Sequence, residues 1–261
     1  MIELVDRRVF GAIEFIDDLS ETRVLSPLHI DAPGVQVMRN RSGFYVLREV
    51  DGQDAYTRAF DNPPAHPPRS ELAVSVQDPT QRYLPQRIGL ALPRWLPDGA
   101  EPVDDADNAL KPVTVRLAPA AGMPLQSAWA VLRLKVAITG SATGLANVLV
   151  EAQPALPGFA LRRSFTDRHG EALVVIVSAP PFLPLAGPPA GLTREFAVAL
   201  TLVLDRSVVR PSTATEFPSP DPALIQRRRT DGHVDVRVVA TGEQLFSAGT
   251  RRRRTDLVTW P

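Results

Sequence analysis

The stretches Asn40-Arg41-Ser42-Gly43-Phe44-Tyr45-Val46-Leu47 and Asp167-Arg168-His169-Gly170-Glu171-Ala172-Leu173-Val174 decide how this chain is read. Each is an Asx-x-x-Gly turn that runs into a β-type segment. The Asn or Asp side chain accepts backbone N–H groups of the turn, and the glycine takes the positive φ that closes it. Upstream of each lies another apolar segment with a Pro/Gly turn: residues 27–34 in the first half, and residues 147–152 with Pro157-Gly158 in the second. The two halves read as copies of one supersecondary unit.

Working outward, short period-2 or apolar β-type runs recur along the chain. They predict strands near residues 9–16, 28–31, 35–39, 44–48, 72–77, 87–92 and 113–117, then near 130–138, 147–152, 160–166, 172–177 and 196–204. A last pair, 234–240 and 243–247, is joined at Thr241-Gly242 and reads as a hairpin. No 11-residue window carries a helical period. Residues 222–229 predict one or two helical turns, with Asp221 as cap and Pro222 at the first helical position. Pro-rich punctuation at 61–68, 97–108, 119–124, 180–191 and 211–222 separates the runs.

Composition points the same way. The 261 residues include 26 Pro, about twice the usual share of roughly 5%. Proline interrupts helices and central strands, so a helical bundle is excluded. The 44% of hydrophobic residues suffices for a buried core. The expected fold class is all-β, with two sandwiches and a C-terminal appendage. The expected domains are residues 1–119, a first sandwich with Pro-rich insertions; 125–206, a second sandwich; and 207–261, a connector, hairpin and Arg-rich tail.

The Asn40–Leu47 turn and strand, with Val9-Phe10-Gly11, Pro27-Leu28-His29-Ile30 and their counterparts in 147–152 and 167–174, resemble the carboxypeptidase regulatory-like, or transthyretin-like, β-sandwich domain. The resemblance covers about 80 residues in each half. It implies two tandem Ig-like/transthyretin-like sandwiches. A second resemblance rests on residues 72–85, with Asp78-Pro79 and Arg82-Tyr83-Leu84-Pro85, on 90–94, on 166–173 and on Asp221-Pro222. These are similar to a bacterial protein of this fold found with contractile phage-tail-like gene sets. That resemblance implies sheath, tube or cap proteins as partners and a symmetric multi-chain assembly. It carries no catalytic residues.

Candidate chemistry is sparse. With 0 Cys, disulfides, thiolate zinc sites and Cys nucleophiles are excluded. The 4 His, at positions 29, 66, 169 and 233, are far apart in sequence. Acids gather at Asp17-Asp18 and at Glu101, Asp104, Asp105 and Asp107, without the Gly-spaced pattern of a calcium loop. There is no G-x-S-x-G motif, and Ser141 and Ser164 show no partner base in the sequence. The glycines of residues 140–144 lack the lysine of a phosphate loop and read as a strand-to-strand turn. No catalytic residue, cofactor or metal is expected.

Two Arg runs stand out, Arg227-Arg228-Arg229 and Arg251-Arg252-Arg253-Arg254, followed by Trp260 near the C-terminus. Three readings are open: phosphate binding, docking onto an acidic protein surface, and a solvated edge that discourages strand pairing. Balanced charges, 29 basic against 29 acidic, argue against nucleic acid. These eight residues are the candidate docking set, since a Trp beside apolar neighbours packs or inserts. The N-terminus has no signal-peptide pattern and no run reaches the ~18–20 apolar residues of a membrane span. The expectation is a cytoplasmic, non-enzymatic structural adaptor of a contractile particle, near its cap or sheath end. The alternative is a module that binds a glycan or protein through its long loops.

Overall fold

A computed structural model describes residues 9–58, 69–94, 108, 111–125, 129–155, 158–176, 197–239 and 255–260. Among the described residues it is β-rich, with sixteen strands and two short helices. The chain folds as two compact units: Met1–Pro79 with Pro85–Leu117, and Thr80–Leu84 with Ala118–Pro261.

The first unit contains β1 (Gly11–Asp17), β2 (His29–Asp31), β3 (Val35–Arg39), β4 (Tyr45–Val50), α1 (Asp54–Arg58), β5 (Ser70–Gln77), β6 (Gln86–Leu92) and β7 (Val113–Leu117). One sheet runs β3-β4-β1-β7 and the other β2-β5-β6. Side chains alternate across a strand, so β1 buries Gly11, Ile13, Phe15 and Asp17 and leaves Ala12, Glu14 and Ile16 half-covered. Tyr45 ties the two sheets together. Its ring meets Phe15 edge-on at 5.3 Å, and its hydroxyl accepts from Leu28 N at 2.7 Å, one residue ahead of β2.

The second unit contains β8 (Ala130–Ile138), β9 (Leu145–Ala146), β10 (Leu149–Pro154), β11 (Arg162–Phe165), β12 (Glu171–Ile176), β13 (Val198–Leu204), β14 (Arg210–Pro211), α2 (Pro222–Thr230), β15 (Asp235–Val239) and β16 (Thr255–Trp260). Its sheets run β12-β8-β16 and β11-β10-β13-β15, with a small β14-β9 pair. Leu132, Leu134 and Val136 of β8 and Val174 and Ile176 of β12 share one buried cluster with Val150 of β10 and Leu200 and Leu202 of β13. The two larger sheets thus bury a common core, which is the dominant favourable term in folding.

One pairing rule serves both units. The first strand pairs antiparallel with the strand after the Asx-x-x-Gly turn (β1 with β4, β8 with β12) and parallel with the last strand (β1 with β7, β8 with β16). In the other sheet β2-β5-β6 corresponds to β10-β13-β15, antiparallel throughout. The turns share their closing hydrogen bonds. Asn40 Oδ1 accepts from Phe44 N at 2.9 Å, and Asp167 Oδ1 accepts from Glu171 N at 2.9 Å. Gly43 and Gly170 close them at φ 86° and 81°. The strand ahead of the turn breaks the correspondence: β3 pairs with β4, whereas β11 pairs with β10 in the opposite sheet. The halves are therefore not strict copies, because this strand joins a different sheet in each.

The period-2 runs match β1–β8, β10–β13 and β15 to within a few residues. The second arm of the expected hairpin, 243–247, lies outside the described residues. Residues 207–261 supply β14, α2, β15 and β16 to the second unit. α1 was not expected, because five residues are too short to show a helical period.

Candidate interaction surface

α2 carries the first Arg run, and its ends are built from local chemistry. Asp221 caps it, its Oδ1 accepting from Leu224 N at 3.0 Å, and Pro222 opens the first turn. Arg227, Arg228 and Arg229 fill the last turn, where positive charge suits the helix dipole. Gly232 follows at φ 73°, with its N–H donating to Arg229 O and that of His233 to Arg228 O, which satisfies two terminal carbonyls.

The inner face of α2 is anchored in two ways. Ile225 is fully buried in a cluster with Leu84, Leu149, Phe165 and Val203. Around it, two buried carboxylates take up the cations. Glu151 of β10 accepts from Arg229 Nη1 at 2.7 Å and from Arg163 Nε at 3.0 Å. Asp205, just past β13, stands 2.7 Å from Arg228 Nε, an ion pair outside hydrogen-bond alignment, while its Oδ1 accepts from Ser207 N and Oγ. Burial pushes the Glu151 carboxyl up, but the Arg229 and Arg163 guanidinium groups outweigh it and hold it below the usual carboxylate range.

The candidate docking residues therefore separate. Arg228 and Arg229 are engaged inside the unit. Arg227 is exposed, on the side of α2 that also exposes Leu224, and its guanidinium has no partner among the described residues. Arg251, Arg252, Arg253 and Arg254 lie outside the described residues. Trp260 ends β16, opposite Ile138 of β8 in the parallel register. Within the expected docking tail, residues 255–260 form β16, a strand of the second unit. The acids 151 and 205 were missed. Their signal was one acid inside an apolar strand run, Leu149-Val150-Glu151-Ala152, and one directly ending such a run, Val203-Leu204-Asp205.

The remaining candidates fall into place locally. Asp17 Oδ1 accepts from Leu19 N at 2.8 Å, an Asx turn, and Asp18 stands 3.5 Å from Arg116. His29 is exposed on β2, as are His169 in its turn and His233. Ser141 Oγ bonds Thr143 within the turn between β8 and β9. Ser164 is buried, with no partner to its hydroxyl among the described residues. The long loops 97–108 and 180–191, apart from Asn108, and the acids 101–107 lie outside the described residues. Among the described residues no three His, Asp or Glu gather as a metal set, and no helix is long and apolar enough to cross a membrane. No family model, no curated protein and no solved structure matches this chain.

Proposed function

We propose that this chain is a non-enzymatic β scaffold that docks onto other proteins, built as two tandem Ig-like/transthyretin-like β-sandwich domains. The observation that carries this reading is the shared pairing rule of the two units, in which the first strand is flanked by the post-turn strand and, in parallel, by the last strand. A second observation supports it. The buried acids Glu151 and Asp205 are spent on holding α2 in place, a structural use of ionisable groups. On the second unit the docking residues we propose are Leu224 and Arg227, on the outer side of α2, together with Arg251–Arg254 and Trp260 as the sequence marks them. An Arg fork beside apolar area suits a carboxylate-bearing protein surface.

The assembly we propose is a contractile phage-tail-like particle in the cytoplasm, with the chain as a symmetric adaptor near the cap or sheath end. The resemblance of residues 72–85 and 166–173 supports it. The test is co-expression of the chain with the sheath, tube and cap proteins of its own gene neighbourhood. A stable complex that sediments with the particle, and that weakens on Arg227→Glu, is the expected result. Intact particles that form without the folded, expressed chain would overturn the assignment.

A further inference from the structure

We infer that the outer edge of β3 is a docking site for an extended, acidic segment of a partner protein, which adds to it as a strand. This inference concerns the first unit and does not rest on the particle reading. β3 ends the sheet order β3-β4-β1-β7, so one side of its backbone has no strand among the described residues. Such an edge presents a row of N–H and C=O groups that can pair with another chain. In the second unit the corresponding strand, β11, lies on β10, with Arg163 held by Glu151. In the first unit the strand has crossed to β4, and its arginine, Arg39, meets no such carboxylate among the described residues.

The side chains around this edge specify the occupant. Gln36, Val37, Met38, Arg48 and Glu49 line a shallow open groove on the β3–β4 ribbon. Met38 is 46% exposed and adds an apolar contact to the groove. Arg39, Arg41 and Arg48 meet no carboxylate among the described residues. Among the described residues Arg48 reaches only the Met38 sulfur at 3.6 Å, Arg39 Nη2 donates to Leu25 O, and Arg41 has no side-chain partner. Glu49, the one acid of the groove, makes no ion pair there. Arg23, Arg116, Arg163, Arg206, Arg228 and Arg229 stand beside an acid, whereas Arg227, like the groove arginines, does not among the described residues. Met38 and Arg48 share one face of the ribbon, Arg39 lies on the other, and Arg41 sits in the turn beyond. Guanidinium groups on both faces beside a free strand edge fit an extended acidic segment, whose carboxylates they would pair. The same charges repel a second basic edge, so another copy of β3 is not the partner.

The test uses the full chain and a fluorescein-labelled octapeptide of alternating Glu and Val, read by anisotropy. Two control peptides of equal length alternate Lys with Val and Glu with Pro; the second keeps the charge but cannot pair as a strand. The expected result is saturable binding of the Glu/Val peptide alone. Arg39→Glu/Arg41→Glu/Arg48→Glu should weaken it at least 10-fold, and Arg41→Glu alone, at an exposed unpartnered position, should weaken it several-fold without lowering the melting temperature. Arg227→Glu, on the other unit, should change nothing. Equal binding of either control peptide, undiminished binding by Arg41→Glu, loss of binding by Arg227→Glu, or no binding at millimolar peptide would overturn the inference.

Discussion

Arg229 Nη1 donates to Glu151 Oε2 at 2.7 Å, joining the last turn of α2 to the centre of β10 across 78 positions of sequence. Only 5% of the Glu151 side chain is exposed, against 32% for Arg229, so the acid is the costly partner to strand. Removing one member of a buried pair leaves an uncompensated charge. Arg229→Ala, which leaves the buried Glu151 with Arg163 alone, should destabilise the second unit by about 2 kcal/mol, and Glu151→Gln, which leaves only partly exposed arginines unpaired, by about 1–2 kcal/mol. The double variant should cost about 1 kcal/mol less than the sum, as read by chemical denaturation. Strict additivity would mean that the two groups do not interact.

The same carboxyl sets an acid limit. Its pKa is lowered from the ordinary 4.5 in the folded state. A depressed carboxylate contributes stability that is complete above its unfolded value and lost as pH falls through the folded one. Unfolding midpoints measured in urea should therefore drop more steeply below about pH 4.5 for the native sequence than for Glu151→Gln. Parallel curves would place the acid sensitivity on other groups.

Gly144 and Gly170 meet backbone to backbone where the Asp167 turn crosses the start of β9. A Cβ on Gly144 would fall 2.1 Å from His169 O, and one on Gly170, at φ 81°, would fall 2.6 Å from Val136 O. Neither obstacle is a flexible side chain. Ala at either position should cost about 3 kcal/mol or more. Gly140→Ala, at φ 75° with open space around it, should cost only about 1 kcal/mol. Thermal melts of the three variants give the ranking; equal losses would count against the close approach.

How far the sequence led depends on the range of the interaction. Strands such as β8 were legible because Leu132, Leu134 and Val136 alternate with Arg133 and Lys135, and the structure buries the first set and not the second. The cap at Asp221 and both Asx turns were legible because their hydrogen bonds span only a few residues. The partners of Arg228 and Arg229 were not, since Asp205 and Glu151 are contributed by strands distant in sequence. β16 was hidden for the same reason. Residues 255–260 acquire a strand partner only through β8, more than a hundred residues earlier, and the Arg run before them reads as a solvated tail. The sheet choice of β3 against β11 follows from tertiary pairing, since both precede the same turn.

Along α2, position should decide the effect of substitution. Asp221→Ala removes the acceptor for Leu224 N and should cost about 1 kcal/mol, while Asp221→Asn should retain most of the stability. Arg227→Ala, exposed and unpartnered, should change stability by less than about 0.5 kcal/mol while Arg228→Ala, which strands the buried Asp205, should cost about 2 kcal/mol. A large effect at Arg227 in the isolated chain would remove it from the docking surface.

The parallel closure of each unit by its last strand is open to a covalent test, because the chain has 0 Cys. Glu14 faces Thr114 across β1 and β7, their side chains 2.8 Å apart, and Lys135 faces Leu257 across β8 and β16. Paired strands bring such residues within disulfide reach. Glu14→Cys/Thr114→Cys and Lys135→Cys/Leu257→Cys should each form one intramolecular disulfide under mild oxidation, seen by intact mass and non-reducing electrophoresis. Free thiols in both variants of the folded chain, or cross-links only between chains, would contradict the shared pairing rule on which the scaffold reading stands.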